Sequence, residues 1–183
     1  MSDWDFLWEL KGQEYYDALY SGGTYADWAF IEKQEREKRR GVYHKKQNTI
    51  VFIDAEGVSH FSAEEIEEHI KDIGQVAEVR YYAMQKDPAT KGWKDTEKKY
   101  GYKAILLSGE RTRNKIDDKL IKDAKNILVK NKSIDIFVLV TKDGDFTELA
   151  TYLRQNGKRV VLLAPLQTSK ELKSVCSQCI DIQ

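Results

Sequence analysis

The chain has 183 residues, 41% hydrophobic and 33% charged, which suits one packed domain with an appendage under a strongly solvated surface. Thirty basic and thirty acidic side chains cancel, so overall charge excludes neither a polyanionic nor a cationic partner, and only its distribution is informative. Two cysteines exclude a disulfide framework. No apolar stretch approaches the ~20 residues of a membrane span, and "MSDWDFLWEL" lacks the basic start and long apolar run of a signal peptide. A cytoplasmic protein with no membrane partner is expected.

Residues 1–47 read as a helical appendage. "DWDFLWELKGQEYYDALY" and "YADWAFIEKQEREKRR" carry helical patterns on either side of the "SGG" breaker at 21–23. Residues 1–31 hold six acids against one base, and residues 32–46 hold seven bases against three acids. The aromatics Trp4, Trp8, Tyr15, Tyr16, Tyr20, Tyr25, Trp28 and Phe30 are dense here. They suit a hairpin packed on the main domain, or an arm that recruits a protein partner or a second copy.

From residue 48 to 183 strands and helices alternate. The apolar runs "TIVFI", "VAEVRYYAM", "YKAILLS", "IDIFVLV" and "RVVLLA" predict five strands, and "CIDI" a short sixth. "SAEE" predicts a capping box of Ser62 and Glu65 ahead of a helix bearing Ile66, Ile70 and Ile73. "NKIDDKLIKDAKNIL" predicts another, with Ile116, Leu120, Ala124 and Ile127 inward, and Thr168 with Glu171 opens a last short one. "QKDPATKGWKDTEKKYG" (85–101), charged and punctuated by Pro and Gly, predicts a long loop with at most one helical turn. Near-continuous apolar strands alternating with helices mean an α/β fold with a parallel sheet of about five strands, flanked by helices on both faces.

Ligands bind such a sheet at the carboxyl ends of its strands, where strand order reverses. Asp54, with Glu56 behind it, ends the first strand, and Asp143 and Asp145 follow the fourth. Asp117 and Asp118 open the helix after the third. Asp54 and Asp143 are expected to finish buried strands, where an unpartnered carboxylate is costly. Converging carboxylates repel unless a divalent cation neutralises them, and an oxygen-rich site suits Mg²⁺ or Mn²⁺ rather than zinc. Each acid also has a plain structural role open to it. Asp145 with Glu148 forms a capping-box pattern, and Asp117 is placed as an N3 acid after Asn114.

These residues resemble the NYN domain, a PIN-like nuclease family with a LabA-like bacterial branch. The matching pieces are "VFIDAEG", "KIDDKLIKDA" and "VLVTKDGDF", the last fitting an S/T-x-D-x-D-F pattern. The resemblance covers residues 48–183 and implies a PIN-like, Rossmannoid fold and a Mg²⁺- or Mn²⁺-dependent nuclease, most often a ribonuclease. It places Asp54, Asp117, Asp143 and Asp145 on the family's metal-site acids, Asp118 in a doublet seen in some members, and Asp123 on a further acid. At 100° per residue Asp123 lies about 240° round the helix from Asp117, which favours a structural role. The family's first motif usually ends in Asn, where this chain has Gly57; Ser59 or His60 stands near enough to replace the amide.

Cleaving a polyanion also needs cations beside the acids. Lys115, Arg113, Arg111 and Lys142 are the candidates, with Ser59 as a further substrate contact. The lysines of 91–103, interleaved with Trp93, Tyr100 and Tyr102, suit single-stranded RNA. Two alternatives stand beside the ribonuclease. "DAEG" with "DGD" loosely resembles the Toprim arrangement of one Glu and a D-x-D, which implies metal-dependent phosphotransfer. A chain with Gly57 and an aromatic arm also suits a non-cleaving RNA-binding or partner-recruiting module. "CSQC" (Cys176, Cys179) has zinc or redox spacing but no second pair, and reads as two inert thiols.

Overall fold

A computed structural model describes residues 47–112 and 114–183. The two helices expected within residues 1–46 lie outside the described residues, as does Arg113. Six parallel strands form one sheet in the order β3-β2-β1-β4-β5-β6. They are β1 (Asn48–Asp54), β2 (Gln75–Met84), β3 (Lys103–Leu107), β4 (Ile134–Val140), β5 (Arg159–Ala164) and β6 (Gln178–Asp181). The helices are α1 (Ala63–Ile73), α2 (Ala89–Tyr100), α3 (Lys115–Lys130), α4 (Thr147–Gln155) and α5 (Lys170–Val175), and short 3₁₀ turns at His60–Ser62 and Gly144–Phe146 precede α1 and α4.

The apolar runs account for the layering. Alternate residues of each strand face opposite sides, and both sides are buried. On one side Phe52, Tyr82 and Phe137 pack with Leu120 and Ala124 of α3, Leu149 and Leu153 of α4, and Leu172 of α5. On the other, Val51, Ile53, Tyr81 and Val138 pack with Ile66 and Ile70 of α1 and Trp93 of α2. The rings of Phe52, Tyr82 and Phe137 run across three neighbouring strands, with Phe52 6.2 Å and 6.1 Å from the other two. β1 lies between β2 and β4. The chain winds outward from β1 in one direction through β2 and β3, then crosses to β4 and winds in the other. The loops after β1 and β4 therefore diverge and leave a crevice at their carboxyl ends.

Three sequence expectations are corrected. Residues 89–100 form a three-turn helix, not a loop. Pro88 stands at its start, where a missing N–H costs nothing, and Gly101 ends it in the left-handed conformation at φ 75°. Thr90, Trp93 and Thr96 form its buried stripe, and Trp93 stacks on Tyr81 at 5.8 Å. Trp93 and Tyr102, only 1% and 3% exposed, belong to the core and offer no ring to a base. Ser62 and Glu65 do not cap α1 with their side chains. Ser62 Oγ donates to the Gln183 carbonyl at 2.6 Å, and a Glu65 carboxylate oxygen accepts the Gln183 N–H at 2.9 Å. The cap of α5 is Ser169, whose Oγ accepts the Leu172 N–H, rather than Thr168.

Candidate metal centre

β1 ends in Asp54 because the carboxylate finds three donors there. One oxygen accepts the backbone N–H groups of Glu56 and Gly57, each at 3.1 Å, and the other accepts the Thr141 hydroxyl at 3.0 Å. The turn is tight, with the Gly57 and Val58 N–H groups returning to the Asp54 carbonyl. Glycine fits at 57 for a packing reason: a Cβ there would lie 2.3 Å from an Asp54 carboxylate oxygen. Thr141, buried directly after β4, links the two strand ends, since its Oγ also accepts the Asp143 N–H at 3.0 Å. The sequence reading missed Thr141; the one available signal was a hydroxyl residue closing the apolar run 136–140.

Asp143 does not finish a buried strand as expected. β4 stops at Val140, and Asp143 is exposed in the loop beyond, where its carboxylate accepts the Asp145 N–H at 2.9 Å and caps the 3₁₀ turn. Asp145 therefore stands inside that turn and is not the cap of α4, whose N-cap residue is Phe146. The turn carries Asp145 back toward the first turn of α3. There Asp117, half-buried, is the third residue of a helix whose N-cap Asn114 makes no side-chain cap bond. Asp117, Asp143 and Asp145 each offer an oxygen within 4.8 Å of the other two. Among the described residues none of the three makes an ion pair. Burial first, then Asp54, Asp143, Asp145 and Glu56, push the Asp117 carboxyl up to about 6. Burial likewise raises the Asp54 carboxyl from its ordinary value, against the hydrogen bonds from Gly57, Thr141 and Glu56, and Asp143 adds to the rise.

The remaining residues singled out in the sequence fall as follows. Asp54 adjoins the trio without joining it. Asp118 is exposed and lines a cleft of about 370 Å³ together with Asn114, Asp117, Ile121, Gly144, Asp145, Thr147 and Glu148. Asp123 points elsewhere, into a buried network with Tyr82 and Lys119. Lys115 Nζ donates to the Ser108 and Glu110 carbonyls, both at 2.8 Å, and so holds the β3–α3 loop. Arg111 of the same loop spans Glu56 at 2.9 Å and Asp87 at 3.2 Å. Lys142 is exposed, with no hydrogen bond or ion pair among the described residues. Ser59 Oγ accepts the Phe61 N–H and caps the turn before α1. Tyr100 is half-buried, with the Lys99 ammonium 4.7 Å above its ring. Both cysteines are free, and burial pushes the Cys176 thiol up to about 12. A thiol so protonated is a poor nucleophile and ligand.

An oxygen-only trio that makes no ion pair among the described residues fits a hard divalent ion such as Mg²⁺ or Mn²⁺, and nothing in it favours a soft one. The Toprim arrangement finds less support, because Glu56 turns to Arg111 whereas the helix acid Asp117 joins the D-x-D pair.

The chain thus carries an acid cluster at the switch point of a parallel α/β sheet. The NYN domain matches residues 48–183, and the chain belongs to that family. No curated protein matches the chain. Among solved structures, a protein of unknown function from Vibrio parahaemolyticus is similar, with 20% identity and a TM-score of 0.63, over 76% of this chain and 94% of that one. It shares the fold. MurG of Acinetobacter baumannii matches at 12% identity and a TM-score of 0.46, over 74% of this chain and 41% of the other, a likeness too loose to carry an argument. Among the described residues no helix is long and apolar enough to cross a membrane.

Proposed function

We propose that this chain is a divalent-metal-dependent ribonuclease that cuts phosphodiester bonds of single-stranded RNA at the carboxyl edge of its sheet. The observation that carries this reading is the trio Asp117, Asp143 and Asp145, whose oxygens meet within 4.8 Å and make no ion pair among the described residues. Family membership adds the nuclease-type fold. The free thiols suit a reducing cytoplasm.

Each group has a role set by its surroundings. Asp143 and Asp145 would hold the ion from one loop and Asp117 from the facing helix. A bound Mg²⁺ or Mn²⁺ supplies charge neutralisation at the phosphate and an acidified water. Asp54, fixed by three donors, holds Thr141 and through it the backbone of Asp143, so it orients the loop ligands. Asp117 carries a proton up to about pH 6 in the ion-free chain and releases it when the site fills. Lys142 is the free cation beside the trio among the described residues, placed by sequence to meet a non-bridging phosphate oxygen.

The test is cleavage of end-labelled single-stranded RNA by purified protein with Mg²⁺, Mn²⁺ or EDTA, beside the Asp143→Asn variant. Cleavage that needs the cation and is lost in the variant is the expected result. Asn retains the cap on the Asp145 N–H, so the variant stays folded. Cleavage that persists in EDTA, or in the folded variant, overturns the reading.

A further inference from the structure

Among the described residues Phe61 is the most exposed large hydrophobic side chain, at 85%. Exposure forfeits the burial gain a phenyl ring ordinarily brings to folding, yet the turn that carries this ring is tied down on both sides. Ser59 Oγ accepts its backbone N–H at 3.3 Å, and on the other side Ser62 Oγ is tied to the Gln183 carbonyl. The His60 imidazole backs the phenyl ring, with centroids 4.1 Å apart and planes at 35°. His60 in turn presses on α2, where a Cβ at Gly92 would fall 2.4 Å from its ring. Glycine is what lets the helix backbone approach so closely, and the imidazole is wedged in place. Lys91, the residue before Gly92, is exposed. The turn belongs to the connection between β1 and α1, which leaves the carboxyl end of β1, so Phe61 stands at the same edge of the sheet as Asp54 and the acid trio.

We propose that Phe61 is a stacking platform for a nucleobase of the strand whose phosphates reach the acid trio, with Lys91 meeting that strand's backbone nearby. The inference rests on the ribonuclease reading and adds where the strand lies: across the end of β1, from the α2 side to the α3 side. Every base has a π face, so a rigid aromatic in water binds single strands with little sequence preference. An exposed lysine beside it answers the phosphates. Of the aromatics the sequence offers for this task, Trp93 and Tyr102 are buried in the core and Tyr100 is half-buried with the Lys99 ammonium over its ring, whereas the Phe61 ring is open to solvent.

The experiment is fluorescence anisotropy of a labelled single-stranded oligonucleotide with the full chain in EDTA, so that nothing is cut. A matched oligonucleotide with abasic sites keeps the charge and removes the bases. Phe61→Ala is expected to weaken binding of the first by about ten-fold and to leave the second unchanged, and Phe61→Tyr is expected to restore binding. An exposed ring contributes little to folding, so melting temperatures should agree within error. Equal losses on both oligonucleotides, no loss on either, or no binding by the wild type overturns the platform. So does a Phe61→Ala effect confined to self-association in sedimentation, which would make the ring a protein contact. Cation-dependent cleavage is measured separately on the wild type. Its absence would sink the ribonuclease reading while leaving the binding result to stand, and its presence with unaltered Phe61→Ala binding would sink only the platform.

Discussion

Two of the three aspartates on helix α3, Asp117 and Asp123, stand six residues apart in opposite surroundings. Asp117 in its first turn faces Asp143 and Asp145 and is pushed up toward neutrality. Asp123, buried one and a half turns later, accepts a hydrogen bond from Lys119 at 2.6 Å and another from the Tyr82 hydroxyl at 3.1 Å, with Arg80 3.9 Å away. Arg80 is itself anchored on Glu78 at 2.6 Å. The second acid is neutralised by the chain; the first is left to something outside it. Burial alone does not separate the two roles, since the structural acid is the more buried. The sign of the neighbouring charges does.

The largest expected effect comes from breaking the contrast at Asp117. Asp117→Asn should lower cation-dependent RNA cleavage by about a hundred-fold or more, since even groups that merely support metal ligands cost up to that much. In EDTA its melting temperature should equal or exceed that of the wild type, because one repelling charge is gone. A drop of several degrees would place Asp117 with Asp123 as a structural acid. Next comes Asp123→Asn, which leaves Lys119 without its acid and unsettles the Tyr82 hydroxyl. Urea unfolding should show a loss of about 2 kcal/mol, with cleavage per folded molecule little changed. Loss of cleavage at full stability would dissolve the comparison.

The smallest effect is a pH dependence. The Asp117 carboxyl titrates at about 6 when folded, against an ordinary 3.8, so the native state binds the proton more tightly. Its favourable share of stability is therefore complete below about pH 4 and is lost as pH rises through 6. Melting temperatures in EDTA for Asp117→Asn minus wild type should grow between pH 4 and 7, and saturating Mn²⁺ should reverse the trend above pH 6. A difference that stays flat with pH would mean that neither burial nor the neighbouring acids raise the Asp117 carboxyl.

Much of this was legible in the sequence, and the gaps have physical causes. Strands buried on both faces announce themselves as apolar runs, so β1 to β5 and the short β6 could be read directly. Helices α1 and α3 carry isoleucine and leucine at helical spacing. α2 hides because its buried stripe consists of one tryptophan and two threonines, and periodicity built on hydrophobic residues passes over it. The Ser62 and Glu65 pattern misled because both side chains are taken by Gln183, more than a hundred residues away, which no local rule foresees. At the site, the acid at the end of β1 and the pair in the loop beyond β4 were visible from strand position. That the helix acid Asp117 shares this rim was also expected; the turn at 144–146 that swings Asp145 back to α3 was not. Thr141 escaped for a similar reason: its two hydrogen bonds join segments that only the β1–β4 pairing brings together.

Gly57 occupies the position at which the family pattern usually carries Asn, and the volume an Asn Cβ would need is filled here by the Asp54 carboxylate. The two positions are thus epistatic. An asparagine at 57 can enter this chain only if Asp54 abandons the rotamer that Thr141 and the backbone N–H groups of Glu56 and Gly57 now fix. An evolutionary step between glycine and asparagine would have to carry the aspartate with it. What looks in the sequence like one missing amide is, in three dimensions, a different way of seating the neighbouring acid.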